Sequence, residues 1–177
     1  THVAAPQLTT RARHEVGGHR AIELTPRAVA PHGHSRIALI ARARAMISTL
    51  AERSLAGRRQ RRIPDETIAD MQRAGFFRVL QPKRWGGYEM DLNTFYDIQL
   101  ALAEGDMSTA WVYGVSGVHP WFMALLDDRA AQEVWHSDTS TLICSSLMPA
   151  GKATAVEGGF RLSGRWKYAS CCDHCDW

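Results

Sequence analysis

The stretch D-R-A-A-Q-E-V-W-H-S-D-T-S-T-L-I-C-S-S-L-M-P-A-G-K-A-T-A-V-E-G-G-F-R-L-S-G-R-W-K-Y-A-S, residues 128 to 170, changes character part-way through. Its first turns, 128 to 135, open on an acid suited to a helix N-terminus and are rich in helix formers. From about Thr139 the sequence turns to short β-rich segments, at 141–146, 154–156, 160–162 and 166–170, separated by Gly151, Gly158, Gly159 and Gly164. These segments predict strands. Helices followed by strands define an α+β chain, divided into a helical domain over 35–138 and the start of a β domain over 139–177. Four strands alone leave an open edge that a finished sheet covers or closes, so the β domain reads as truncated. Both ends, Thr1 and Trp177, look cut.

Upstream of this switch the spacing is helical. Ser35 is an N-cap candidate, and Ile37, Ile40, Ala41, Ala45, Ile47, Leu50, Ala51 and Leu55 predict one amphipathic helix ending at Gly57. Pro64, followed by Asp65 and Glu66, opens a second that Gly75 ends, because proline fits the first turn and acids there face the positive end of the helix dipole. Residues 76–91, with Pro82, Gly86 and Gly87, read as a structured loop. Helical spacing resumes at Leu92, Phe95, Ile98 and Leu102, and again from Ser108 through Trp111, Val112 and Val115. Residues 1–34, with three prolines and no sustained apolar periodicity, read as a flexible or aberrant leader.

The net charge of +3 comes from arginines crowded into the first third. They lack interleaved aromatics, which favours a solvated basic face over a nucleic-acid site. No stretch approaches the roughly 18 apolar residues that span a bilayer, and no secretory signal is visible. Three of the four cysteines fall at 171, 172 and 175, unlike the spaced pattern of a secreted disulfide framework, so a reducing cytoplasm is expected. Cys172 and Cys175 are spaced for a metal or a redox pair. A zinc site would need Cys171 and His174 as well, but adjacent residues do not all point inward and no second pair exists, so no metal is expected. A redox pair, which would sit after a strand and open a helix, stays open.

His119, between Val118 and Pro120, is either a packed histidine or a base in a substrate pocket. Trp111, Trp121, Trp135, Trp166 and Trp177 give an aromatic density whose default reading is core packing. Ser145, Ser146 and Ser170 stand at the ends of strand-like segments, where hydroxyls satisfy turns or present donors to a heterocycle. No Gly-rich phosphate loop, nucleophile elbow or Walker pattern is present.

Taken in order, R-R-I-P-D-E-T at 61–67, G-F-F-R-V-L-Q-P-K-R-W-G-G at 75–87, S-T-A-W at 108–111, G-V-H-P-W-F-M-A-L at 117–125, A-Q-E-V-W at 131–135, L-I-C-S-S-L-M-P-A-G at 142–151 and G-G-F-R-L-S-G-R-W-K-Y-A-S at 158–170 resemble flavin-dependent monooxygenases of the acyl-CoA dehydrogenase superfamily. The resemblance runs over roughly 36–177. It implies an all-helical N-terminal domain, the first strands of a middle β-barrel, and a C-terminal helical bundle that is missing from this chain. It also implies a two-component oxygenase that takes reduced FMN or FAD from a separate NAD(P)H-dependent flavin reductase, uses O2 to hydroxylate a phenolic substrate, and forms a homotetramer at full length. Flavin contacts are implied at Trp111, Ser145, Ser146, Leu147, Tyr168, Ala169 and Ser170, with Ser170 near flavin N5 and His119 bordering the phenol pocket. The isolated fragment is expected to be inactive. Tyr168, Ala169 and Cys171 stand where the family usually has Trp, Ser and Gly, and the last matters because only glycine adopts every backbone conformation freely.

Two other readings compete. A true acyl-CoA dehydrogenase shares the fold, but C-S-S-L-M-P-A-G replaces the T-E-x-x-x-G-S-D stretch such enzymes carry. A non-catalytic helical interaction module with a basic leader predicts salt-sensitive binding to nucleic acid without flavin affinity.

Overall fold

The computed structural model describes residues 33–177, so the leader expected over 1–34 lies almost wholly outside the described residues. Six helices are followed by one β-hairpin: α1 (Arg36–Ala45), α2 (Ile47–Gln60), α3 (Asp65–Ala74), α4 (Leu92–Gly105), α5 (Met107–Met123), α6 (Asp128–Trp135), β1 (Gly151–Val156) and β2 (Gly159–Gly164). Short 3-10 turns at Phe76–Arg78 and Lys83–Trp85 shape the loop between α3 and α4.

Most helix ends are chemically explicit. Ser35 Oγ accepts from Ala38 N–H, and Asp91 accepts from both the backbone N–H and the hydroxyl of Thr94 at 2.9 Å. Each satisfies a donor that the first turn leaves without a helical partner. Asp106 does more. Extended itself, it ends α4 and caps α5, accepting from Thr109 N–H and Oγ1 at 2.8 Å and from Ser54 Oγ of α2 at 3.0 Å. Pro64 and Gly75 bound α3 as the sequence predicts, with Gly75 at φ 84.

The first helix departs from expectation. It is broken at Met46, whose N–H bonds Ala43 O in a tighter turn, and the second piece runs through Gly57 to end at Arg61, a left-handed residue at φ 56. Arg61 N–H and Arg62 N–H close the end on Arg58 O and Gly57 O, so a non-glycine residue makes the stop. The buried face also differs: Leu39, Ala43 and Leu50 are in the core, whereas Ile37 and Leu55 are exposed.

The core lies where α1 and α2 cross α4, and α4 lies along α5. Leu39, Met71, Phe76, Val79, Ile98, Leu102 and Tyr113 are buried there. Phe76, Phe77 and Phe95 surround the Tyr113 ring at centroid distances of 6.2, 6.0 and 4.8 Å. Fully burying such side chains contributes roughly 1.5–3 kcal/mol each. A smaller cluster forms around Trp135, whose indole N–H donates to Thr141 O at 3.2 Å. Gly87 lets two backbones meet: a Cβ there would lie 1.9 Å from Gln81 O.

Of the four expected strands, two form. β1 and β2 pair antiparallel with Gly151 opposite Gly164 and Val156 opposite Gly159. The segments 141–146 and 166–170 are not strands. The first finds partners at the chain end instead, with Cys144 N–H bonding Trp177 O at 2.8 Å and Asp176 N–H bonding Leu142 O. In the second, the Trp166 ring lies against the hairpin's open end, where a Cβ on Gly151 would come within 2.2 Å of it. β-propensity reports which residues tolerate an extended backbone, but a strand also needs a ladder of paired neighbours.

Candidate functional site

Helix α5 carries the side chains that meet the C-terminal segments. Near its N-terminus, Trp111 is 61% exposed and donates its indole N–H to Ser170 Oγ at 3.2 Å. Near its C-terminus His119 is buried. Its Nδ1 lies 2.5 Å from Val115 O, which only accepts, so the proton sits on Nδ1. Nε2 is then an acceptor, and the Ser145 hydroxyl donates to it at 2.7 Å. Burial pushes the His119 pKa down, with the Val115 carbonyl partly opposing, and keeps the ring neutral. Pro120 follows inside the helix and has no N–H for the Ser116 carbonyl one turn back.

The sequence-derived site residues thus form two groups. Trp111, Ala169 and Ser170 line a cavity of about 530 Å³ between α2, α5 and the turn at 169–174. His119 and Ser145 form a dyad that does not line that cavity. Ser146 is half-buried, and its Oγ has no hydrogen-bond partner among the described residues. Leu147 and Tyr168 project outward, 86% and 81% exposed. Core packing, the default for the tryptophans, holds for Trp135; Trp111, Trp121 and Trp177 are exposed.

Several groups at the site were not assigned to it from sequence. Arg58, Arg61 and Arg62 line the cavity, as do Asp173 and His174. His174 Nδ1 lies 3.2 Å from Asp65 Oδ1, while burial, reinforced by Arg62, lowers its pKa. Ser116 sits one turn before His119 on the same helix face, a spacing that was available as a signal. Cys171 has φ 74, the left-handed region in which the family resemblance implies glycine. Among the described residues no group of three His, Cys, Asp or Glu side chains is disposed to hold a metal ion, and no helix is long and apolar enough to cross a membrane.

Helix α5 thus presents an indole, a histidine and a core tyrosine to different neighbours, after the other N-terminal helices and before α6 and the β-hairpin. Residues 36–128 match the family model for the acyl-CoA dehydrogenase N-terminal domain, and the chain belongs to this family. Within it, the chain is 42% identical over 133 residues to the flavin-dependent monooxygenase oxygenase subunit HsaA of Rhodococcus jostii (strain RHA1), covering 75% of this chain and 35% of that protein. It is 33% identical over 117 residues to the oxygenase component of an FADH(2)-dependent resorcinol hydroxylase of Rhizobium sp. (strain MTP-10005), covering 66% of this chain and 29% of that protein. A crystal structure of 3-HSA hydroxylase from Rhodococcus sp. RHA1 superposes with a TM-score of 0.77 at 41% identity, over 78% of this chain and 36% of the other. The chain spans about a third of the length of these relatives.

Proposed function

We propose that this chain is part of the oxygenase component of a two-component flavin-dependent monooxygenase that hydroxylates a phenolic substrate. Residues 35–138 supply its helical domain and 139–177 open its β domain. The observation that carries the reading is the pair of contacts from one helix to the two implied flavin-binding segments, Trp111 to Ser170 and His119 to Ser145. The names of the relatives, a monooxygenase subunit and a resorcinol hydroxylase component, supply the chemistry, and the FADH(2) in the latter's name favours FAD over FMN.

The donor set suits a heterocycle. Ser146 offers a buried hydroxyl without a partner, and Ser170 keeps its own proton free to donate because its oxygen accepts from Trp111. Reduced flavin bound there supplies the two electrons that activate O2. The chain's own residues orient and protect. Trp111 fixes the Ser170 hydroxyl, and Leu147 and Tyr168 offer exposed side chains for a flavin ring to cover. The neutral His119, anchored on Val115 O, fixes the Ser145 hydroxyl, whose oxygen retains lone pairs for a phenol O–H. A separate NAD(P)H-dependent reductase delivers the flavin, the working assembly is a homotetramer, and the location is the cytoplasm, consistent with four free cysteines among the described residues.

The test uses the full reading frame that contains these residues, titrated anaerobically with reduced FADH2 and FMNH2 and then given O2 and a phenol. Tight binding of reduced flavin, a hydroxylated product, and loss of both in Ser170→Ala support the proposal. Reduction of bound oxidised FAD by an acyl-CoA, with no hydroxylation, would move the protein to the dehydrogenases.

A further inference from the structure

The cavity between α2, α5 and the turn at 169–174 has a polar wall that the flavin reading leaves unused. On α2, Ser54, Gly57, Arg58 and Arg61 recur at spacings of three and four, so one face of that helix looks into the cavity. Two further arginines on the wall already have partners: Arg53 pairs with Asp70 at 2.6 Å, and Arg62 with Asp65. The side chains of Arg58 and Arg61 make no ion pair among the described residues. Of the acids on the wall, Asp106 has both oxygens committed, to Thr109 and Ser54, and Asp173 pairs with neither arginine.

His174 supplies an independent sign of a ligand. Its side chain is 7% exposed and lines the same cavity. Its Nδ1 lies 3.2 Å from Asp65 Oδ1, and the carboxylate, paired with Arg62, only accepts, so the proton sits on Nδ1. Burial favours the neutral ring, and Nε2 then carries a lone pair. That atom is buried and has no hydrogen-bond partner among the described residues. Folded proteins rarely leave such an acceptor without a donor. Leu50, Ile63 and Val112 add aliphatic surface to the cavity, whose 530 Å³ falls within the roughly 300–1,000 Å³ of small-molecule sites.

We propose that this cavity is a binding site for a small aliphatic hydroxy acid, its carboxylate on Arg58 and Arg61, its hydroxyl donating to His174 Nε2, and its carbon chain against Leu50, Ile63 and Val112. Each part of the ligand answers a part of the wall. An inorganic anion would satisfy the arginines but cover no apolar surface, and a plain fatty acid would leave Nε2 without a donor. Guanidinium groups suit a carboxylate because their planar forks donate two parallel hydrogen bonds to it. The site is separate from the His119–Ser145 pair, which does not line the cavity. The inference stands on the cavity alone and does not require flavin to bind.

The test titrates the flavin-free 177-residue chain by calorimetry with leucic acid, with isocaproic acid, which lacks the hydroxyl, and with the corresponding diol, which lacks the charge. The expected result is saturable binding of leucic acid, about 5-fold weaker binding of isocaproic acid and at least ~10-fold weaker binding of the diol. Arg61→Gly removes one charge while placing at φ 56 the residue that tolerates it best, so the loss of leucic acid binding expected there is not a folding defect. Arg58→Gln should weaken binding likewise, and in His174→Phe the preference for leucic over isocaproic acid should vanish. No saturable binding, a diol that binds as well as the acid, affinity unchanged in both arginine variants, or displacement of leucic acid by an equal concentration of sulfate would overturn the proposal. The three ligands on the unsubstituted chain decide even where a variant fails to fold, and a negative result leaves the flavin reading to its own titration.

Discussion

His119 illustrates how one acceptor fixes a whole contact. With Val115 O holding the Nδ1 proton, the ring can only accept at Nε2, and Ser145 is the donor that satisfies it. Ser145→Ala therefore strands a buried acceptor and is expected to cost about 1–3 kcal/mol, against about 0.5–1.5 kcal/mol for Trp111→Phe, which removes a hydrogen bond at a largely exposed ring. Urea midpoints of the two variants check the order; equal losses would mean the His119 contact is not closed in solution. The sequence already drew attention to His119, Ser145 and Ser170, because a histidine in an apolar helix and hydroxyls at segment ends are locally visible. That His119 pairs with Ser145 while Trp111 pairs with Ser170 was not legible, since it depends on how the chain returns to α5. The same holds for Cys144, whose backbone N–H meets Trp177 O at the chain's end.

Among the elements, those whose ends are written in local chemistry were readable. Pro64 and Gly75 bound α3, and α6 spans the residues expected of it. The break at Met46 was hidden, because the apolar spacing continues through it and the residues on both sides are ordinary helix formers. Strands at 141–146 and 166–170 were misread for a related reason: composition reports what a residue tolerates, while ladder formation depends on a neighbour. Gly87 tests the tightest crossing in the α3–α4 loop. Gly87→Ala drives a Cβ into Gln81 O, where neither partner is a flexible side-chain end, and is expected to destabilise by about 1–3 kcal/mol or more. Thermal denaturation followed by circular dichroism reads this directly. An unchanged midpoint would show that the loop relaxes around the added methyl.

At the scale of the whole molecule, acid sensitivity among the described residues follows from three histidines. The pKa values of His34, His119 and His174 all lie below the ordinary 6.5, with burial the first cause in each. The unfolded chain therefore binds protons first as pH falls. Stability is full above about 6.5 and declines below it, until the folded values are passed. Denaturant midpoints measured from pH 8 to about pH 5 should fall, and His119→Gln, which cannot take up a proton, should flatten part of that slope. A profile flat over this range would contradict the buried neutral state of these rings. The exposed carboxylates Asp91 and Asp127 titrate lower, below their ordinary 3.8, and do not blur the window.

The β1–β2 hairpin has no buried residue on either face. A two-stranded ribbon whose apolar side chains, Ala153, Ala155, Phe160 and Leu162, stay exposed is marginal by itself, so its opening is not coupled to the melting of the helices. Its amide hydrogens should exchange with deuterium long before those of α4 and α5. Among the described residues, brief trypsin treatment should cut first at Lys152, Arg161 and Arg165, leaving the helical body protected up to that point.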